Sequence, residues 1–253
     1  MKFVLVKDLD ELSEAFKQQM LKYMYSSRNR VNIAITTGTT PVKGYKMLSE
    51  FVKGKDCFDG VHYYIFDEFW YKDDPVGICR RSLDVKYFKD AGVREECIHN
   101  LEEDTWREAD AQIQRDGGLD MVVMGIGTNG HFCGNQPGTF ENWNEGVHTI
   151  DRHRTRVVEE LLIQLLHEDL HSDDESRIPD HYITMGPRTV MNARSIVFIL
   201  SGKDKAETAR RAFFEPISKD FPVSIFQLHP DVTVIIDEDA AALIKYKISQ
   251  NPV

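Results

Sequence analysis

Short runs of β-branched and aromatic residues recur along this chain with longer amphipathic stretches between them, and this alternation restricts the fold more than any other feature. Residues 2–6, 31–35, 61–66, 121–124, 182–185, 195–200 and 232–236 read as strands. Segments near 9–27, 41–51, 78–90, 104–116, 156–169, 203–215 and 238–248 read as helices. Thr40 is placed as the N-cap of the second helix, with Pro41 at its first position. Repeated strand–helix units of this kind need a sheet covered on both faces. The expectation is therefore an α/β fold: three layers, a doubly wound, mostly parallel sheet, Rossmann-like in its winding. No fixed-period repeat and no linker interrupts the pattern, so one domain is expected over residues 1–253. The pattern does not encode the order of the strands.

Composition narrows the function classes. The 42% hydrophobic content supplies enough apolar material for both faces of a sheet. With 41 acidic residues against 31 basic ones the formal net charge is −10, and no stretch gathers the basic residues, which disfavours nucleic acid as a partner. A small phosphate ester is still compatible, because a local group of Lys, Arg and backbone N–H donors can hold it against an acidic background. Cys57, Cys79, Cys97 and Cys133 lie far apart without a CxxC pair, so neither a zinc knuckle nor a dithiol site is indicated. Nothing calls for a metal, nicotinamide or flavin, and no cofactor is expected. There is no secretory signal pattern and no apolar run that could span a bilayer; a cytoplasmic protein with reduced thiols and no membrane partner is the expectation.

In a parallel sheet the chemistry belongs at the C-terminal ends of the strands, which singles out the loops at 36–41, 67–68 and 125–137, and the segment 201–206 also follows a strand. Thr37, Gly38, Thr39 and Thr40 offer hydroxyls and free amides at a helix start; they either cap the helix or receive an oxyanion, and they form no Walker loop or dinucleotide fingerprint. Asp67 and Glu68 end an aromatic-rich strand. As adjacent carboxylates they are a surface pair or, beside a cleft, a means of moving a proton between neighbouring carbons. In the glycine-rich loop that contains Gly127, His131 is the group able to exchange protons near neutral pH, unless it is structural; Cys133, two residues on, offers a thiol without an established partner. Lys205 stands where a strand gives way to a helix, suited to a phosphate or simply to solvent. Arg152, His153, Arg154 and Arg156 either lend positive potential to the site or pair with the acidic residues near 171–175.

Taken in order, Thr37-Gly38-Thr39-Thr40-Pro41, Phe66-Asp67-Glu68-Phe69, Gly118-Leu119-Asp120, Gly125-Ile126-Gly127 through Asn129-Gly130-His131, Asn135-Gln136-Pro137-Gly138 and Leu228-His229-Pro230 resemble the glucosamine-6-phosphate isomerase/deaminase and 6-phosphogluconolactonase superfamily, in particular its hexosamine-phosphate branch. The resemblance implies a metal-free reaction on a sugar 6-phosphate: aldose–ketose isomerisation, with or without deamination, of a substrate such as glucosamine 6-phosphate or galactosamine 6-phosphate. It implies that Asp67 shuttles a proton between C2 and C1, that His131 opens the pyranose ring, and that the turn at residues 38–40 and Lys205 hold the phosphate. The candidate catalytic set is then Asp67, His131, Asn129 and Gln136, with Thr37, Gly38, Thr39, Thr40, Glu68, Gly127 and Lys205 around the substrate. Two positions depart from the pattern, which has Asp where this chain has Asn129 and Glu where it has Gln136. Loss of both charges should lower the pKa of His131. No clean match exists for the family's phosphate-binding arginine, a role open to Arg152, Arg154 or Arg156. The partner implied is a small phosphorylated sugar, with homo-oligomerisation left open. A lactone hydrolase and a phosphosugar-binding sensor without catalysis are the rival expectations.

Overall fold

The computed structural model describes residues 1–72, 74 and 76–249. The strands are β1 (Lys2–Val6), β2 (Val31–Ile35), β3 (Val61–Ile65), β4 (Asp67–Glu68), β5 (Ile98–His99), β6 (Met121–Met124), β7 (His148–Asp151), β8 (His181–Thr184), β9 (Ile196–Leu200) and β10 (Val232–Asp237). Between them run α1 (Leu9–Met24), α2 (Val42–Val52), α3 (Ile78–Leu83), α4 (Lys89–Ala91), α5 (Ala109–Arg115), α6 (Arg156–Leu170), α7 (Pro187–Met191), α8 (Ala206–Phe214) and α9 (Lys245–Ser249). A π-helical turn, Asp84–Phe88, joins α3 to α4.

Among the described residues seven strands form one sheet in the order β1-β10-β9-β6-β2-β3-β5, and every pairing in it is parallel. The inner strands β2, β6, β9 and β10 are buried at every position, as a sheet covered on both faces requires. Alternate residues of each strand enter opposite layers. Ile33, Val123, Val197 and Ile235 pack with Leu12, Phe16 and Met20 of α1 and with Tyr45 and Leu48 of α2. Ala34, Val122, Phe198 and Val234 pack on the other side with Ala209, Ala212 and Phe213 of α8. The three-layer α/β expectation holds.

Starting at β2, the chain proceeds outward through β3 and β5, then returns to β6 on the other flank of β2 and continues outward through β9 and β10. Loops leaving β2 and β6 therefore diverge, and the crevice between them is the topological switch point, where doubly wound sheets bind ligands. The loops after β9, β6, β2 and β3 lie side by side along this edge.

Four local expectations need correction. Residues 182–185 do not extend the parallel sheet: β8 is the middle of a small antiparallel sheet, β4-β8-β7, because an apolar run specifies burial and not its partner. Asp67-Glu68 is itself the short strand β4, pairing Asp67 with Thr184 and Glu68 with Ile183. Thr40 does not cap α2; the cap position falls on Pro41, with no side-chain hydrogen bond. The stretch from 238 to 244 forms hydrogen-bonded turns, and α-helix is confined to Lys245–Ser249. Among the described residues no helix is long and apolar enough to cross a membrane, and no group of three or more His, Cys, Asp or Glu side chains is placed to hold a metal.

Candidate active site

The turn after β2 is held from its carbonyl side. The Tyr45 hydroxyl of α2 donates to the Thr36 carbonyl at 2.8 Å, and the Lys86 ammonium, from the π-helical turn, donates to the Thr37 carbonyl. The Gly38 amide has only a long contact, 3.4 Å, to the Thr36 hydroxyl, while the amides of Thr39 and Thr40 form no hydrogen bond among the described residues. A turn with its carbonyls engaged and its amides unclaimed, ahead of an eleven-residue helix, suits an anion. Lys86 gave no signal in the sequence. It is half-buried, its pKa lowered chiefly by that burial, and no carboxylate among the described residues pairs with it.

Asp67 and Glu68 point to opposite sides of β4, as successive strand residues must. Asp67 Oδ1 accepts from the Gly134 amide at 2.7 Å and from the Thr184 hydroxyl at 2.6 Å, and the residue retains partial exposure. Desolvation pushes its pKa up to about 7 against the opposing pull of those two donors. Glu68 is fully buried and accepts from the amides of Phe69, Cys79 and Arg80 at 3.0, 2.8 and 3.0 Å, so it closes off the start of α3. Burial raises its pKa to about 8, with the three amides acting in the other direction. Gly77 is glycine because a Cβ there would lie 2.1 Å from the Glu68 carboxyl carbon. The Glu68 oxygens are engaged by the start of α3.

The loop after β6 carries a connected set. His131 Nδ1 lies 2.7 Å from Asn129 Oδ1, and Asn129 Nδ2 donates to Gln136 Oε1 at 2.7 Å. Gln136 thus reaches the imidazole through Asn129. The His131 pKa falls to about 4, first through desolvation and second through the Lys205 ammonium, in the direction expected from the loss of both carboxylates. Gly127 is a seat for the ring: a Cβ there would stand 2.0 Å from His131 Nδ1, and its amide donates to the His131 carbonyl at 3.0 Å. The Cys133 thiol is pushed well above its ordinary pKa by burial and by Asp67, which argues against a thiolate nucleophile.

Lys205, at the turn after β9, donates to the Ile126 carbonyl at 3.1 Å and so stands beside the same loop. Of the arginines, Arg154 donates to the carbonyls of Gly138 and Thr139 and clasps the end of the loop. Arg152 and Arg156 pair with Glu159 and Glu160 of α6 rather than with the acidic residues near 171–175. Two of the sequence landmarks are structural. Buried His229 contacts the carbonyls of Ala193 and Asp231, and buried Asp120 pairs with Arg28 and Arg194. Thr184, which joins Asp67 to the glycine-rich loop, escaped sequence reasoning because only the pairing of β4 with β8 brings it there. Clefts of about 440 and 680 Å³ lie elsewhere, around Tyr64, His99 and Trp106 and around Trp70, Glu103 and His181. Convergence of titratable groups, not volume, locates the candidate site.

This is an α/β protein whose candidate groups Asp67, His131 and Lys205 lie on segments that follow strands of a parallel sheet near its switch point. A family model described as glucosamine-6-phosphate isomerases/6-phosphogluconolactonase matches residues 7–235, and the chain belongs to that family of enzymes. It is 31% identical over 255 residues to the glucosamine-6-phosphate deaminase of Thermoanaerobacter pseudethanolicus, covering 96% of this chain and 95% of that protein. To the glucosamine-6-phosphate deaminase of Lysinibacillus sphaericus it is 33% identical over 251 residues, covering 93% and 98%. The solved structure of a monomeric glucosamine-6-phosphate deaminase superposes with a TM-score of 0.80 at 25% identity, over 96% of this chain and all of that one. The 6-phosphogluconolactonase of Trypanosoma cruzi, at 17% identity and a TM-score of 0.72 over 96% and 97% of the two chains, shares the fold.

Proposed function

We propose that the chain, working as one sugar-phosphate domain, converts a hexosamine 6-phosphate of the glucosamine 6-phosphate type into the ketose phosphate with release of ammonia. The observation that carries this reading is the joining of two proton-exchanging groups. The loop that presents His131 also donates the Gly134 amide to Asp67, a carboxyl whose pKa stands near 7. A carboxyl poised there can take up and release a proton in one turnover.

In the proposed sequence His131 takes the anomeric hydroxyl proton and passes it to the ring oxygen as the C1–O5 bond breaks, giving the open-chain aldehyde and returning His131 to its neutral form. Asp67 then removes the proton from C2 and returns it to C1 while a proton passes from the 2-amino nitrogen to O1, so that C1 becomes a hydroxymethyl group and C2 an imine. Water adds to that carbon and ammonia leaves, so one water is consumed for each ammonia released. The turn from Thr37 to Thr40 holds the phosphate, flanked by Lys205 and by Lys86. A half-buried ammonium without a carboxylate partner is unfavourable by itself, and a phosphate dianion would compensate it.

The test offers the purified chain glucosamine 6-phosphate, galactosamine 6-phosphate, a non-amino hexose 6-phosphate and 6-phosphogluconolactone while ammonia, ketose and lactone are followed. Ammonia and ketose in equal amounts are expected. Lactone consumption without ketose would replace the reading with hydrolysis, and phosphosugar binding without turnover of any substrate would replace it with a sensor.

A further inference from the structure

We infer that Asn129 and Gln136 are positioning residues that fix the tautomer of His131, keeping its proton on Nδ1 and leaving Nε2 as the nitrogen that receives a proton. The inference deepens the proposed function, on which it relies only for the identity of the proton donor. It begins from a group whose role is not adjustable. The backbone N–H of His131 can only donate, and it lies 3.2 Å from the same Asn129 side-chain atom that His131 Nδ1 approaches to 2.7 Å. That atom must therefore be the amide oxygen.

With the oxygen so placed, the Asn129 amide nitrogen faces Gln136 at 2.7 Å and needs an acceptor, so Gln136 presents Oε1. The Asn129 oxygen can only accept, hence Nδ1 carries hydrogen. A neutral imidazole has one N–H, so Nε2 keeps its lone pair. A carboxylate pair at these positions would leave the ring free to hold a second proton; two amides do not stabilise that charge. The charged group facing the ring is Lys205, from the turn after β9, and it opposes protonation. Asp67, from β4, is tied to Gly134 and Thr184, and among the described residues no carboxylate lies within ion-pair distance of the imidazole. The ring sits over Gly127, where any side chain would collide with it.

The experiment is ¹⁵N NMR of the histidine-labelled full chain without substrate, across about pH 5.5 to 8.5. Expected for His131 is a protonated, pyrrole-type Nδ1 and a pyridine-type Nε2 throughout that range. Gln136→Leu removes the acceptor for Asn129, and its spectrum should show mixed tautomers. Its kcat should fall ~10-fold or more, part of the ~10²–10⁴-fold that a positioned base contributes, with KM little changed. Gln136→Glu keeps an acceptor oxygen and should restore both spectrum and rate. Asn129→Asp should move the protonation midpoint up by at least about one pH unit, since a carboxylate favours the imidazolium. A pyridine-type Nδ1 in the unaltered chain, or a folded Gln136→Leu variant with an unchanged spectrum, overturns the inference. Should Gln136→Leu fail to fold, the unaltered chain and Gln136→Glu decide it alone. The expected spectra together with no turnover of any hexosamine phosphate would sink the proposed reaction and leave the relay standing.

Discussion

The two sides of β4 hold the same chemical group under similar electrostatic pressure and do different things with it. On one side Glu68 is sealed from solvent, and three amides at the start of α3 take up its oxygens. On the other side Asp67 keeps partial exposure, with two donors on one oxygen. Burial raises both pKa values, so a raised pKa does not separate the carboxyl proposed to react from the one that closes a helix start. What separates them is the remaining access and the identity of the partners. Those of Glu68 are amides of its own strand end and helix, whereas those of Asp67 come from the loop bearing His131 and from β8.

That contrast can be broken most forcefully with Asp67→Asn, which should lower kcat by ~10²–10⁴-fold while the fold survives, because an amide oxygen still accepts from Gly134 and Thr184. The unaltered chain should gain activity as pH rises through about 7, where Asp67 ionises. The sign for stability is opposite. The folded pKa lies above the ordinary value of 3.8, so the folded state holds a proton that the unfolded chain has released, and stability falls as pH rises from 3.8 to about 7. Asp67→Asn should remove this part of the pH dependence, as urea unfolding at several pH values would register.

Glu68→Ala should give the converse, a loss of about 3 kcal/mol in unfolding free energy as three amides lose their acceptor, with kcat little changed in the protein that remains folded. Equal losses of rate in Asp67→Asn and Glu68→Ala would erase the distinction between the two sides. The smallest expected effect lies at the phosphate end. Lys86→Met should raise KM for the phosphorylated sugar by about 10-fold, the loss of one charge-assisted contact, and leave weak binding of the unphosphorylated sugar unaltered.

The sequence made the parallel sheet legible because fully buried runs such as those of β2, β9 and β10 carry their own signature, and strand ends then pointed to the loops that make up the candidate site. Asp67, Asn129, His131 and Gln136 could be chosen because their side chains are polar where glycine-rich turns follow apolar strands. The internal partners of Glu68 and Gly127 were not legible, since a carboxylate that closes a distant helix start and a glycine that makes room for an imidazole are brought to those neighbours only by the fold. Thr184 and Lys86 could not be found at all. The first depends on antiparallel pairing across 117 positions, the second on a π-helical turn that brings an ordinary helical lysine to the Thr37 carbonyl.

Proton movement at C2 is the most direct test of Asp67 as the shuttle. Glucosamine 6-phosphate deuterated at C2 would be given to the unaltered chain and to Asp67→Asn, and the label followed by NMR. Deuterium should leave C2 and appear at C1 of the ketose or in water with the unaltered chain, and remain at C2 with the variant. Departure of the label from C2 at the same rate in both would contradict the assignment.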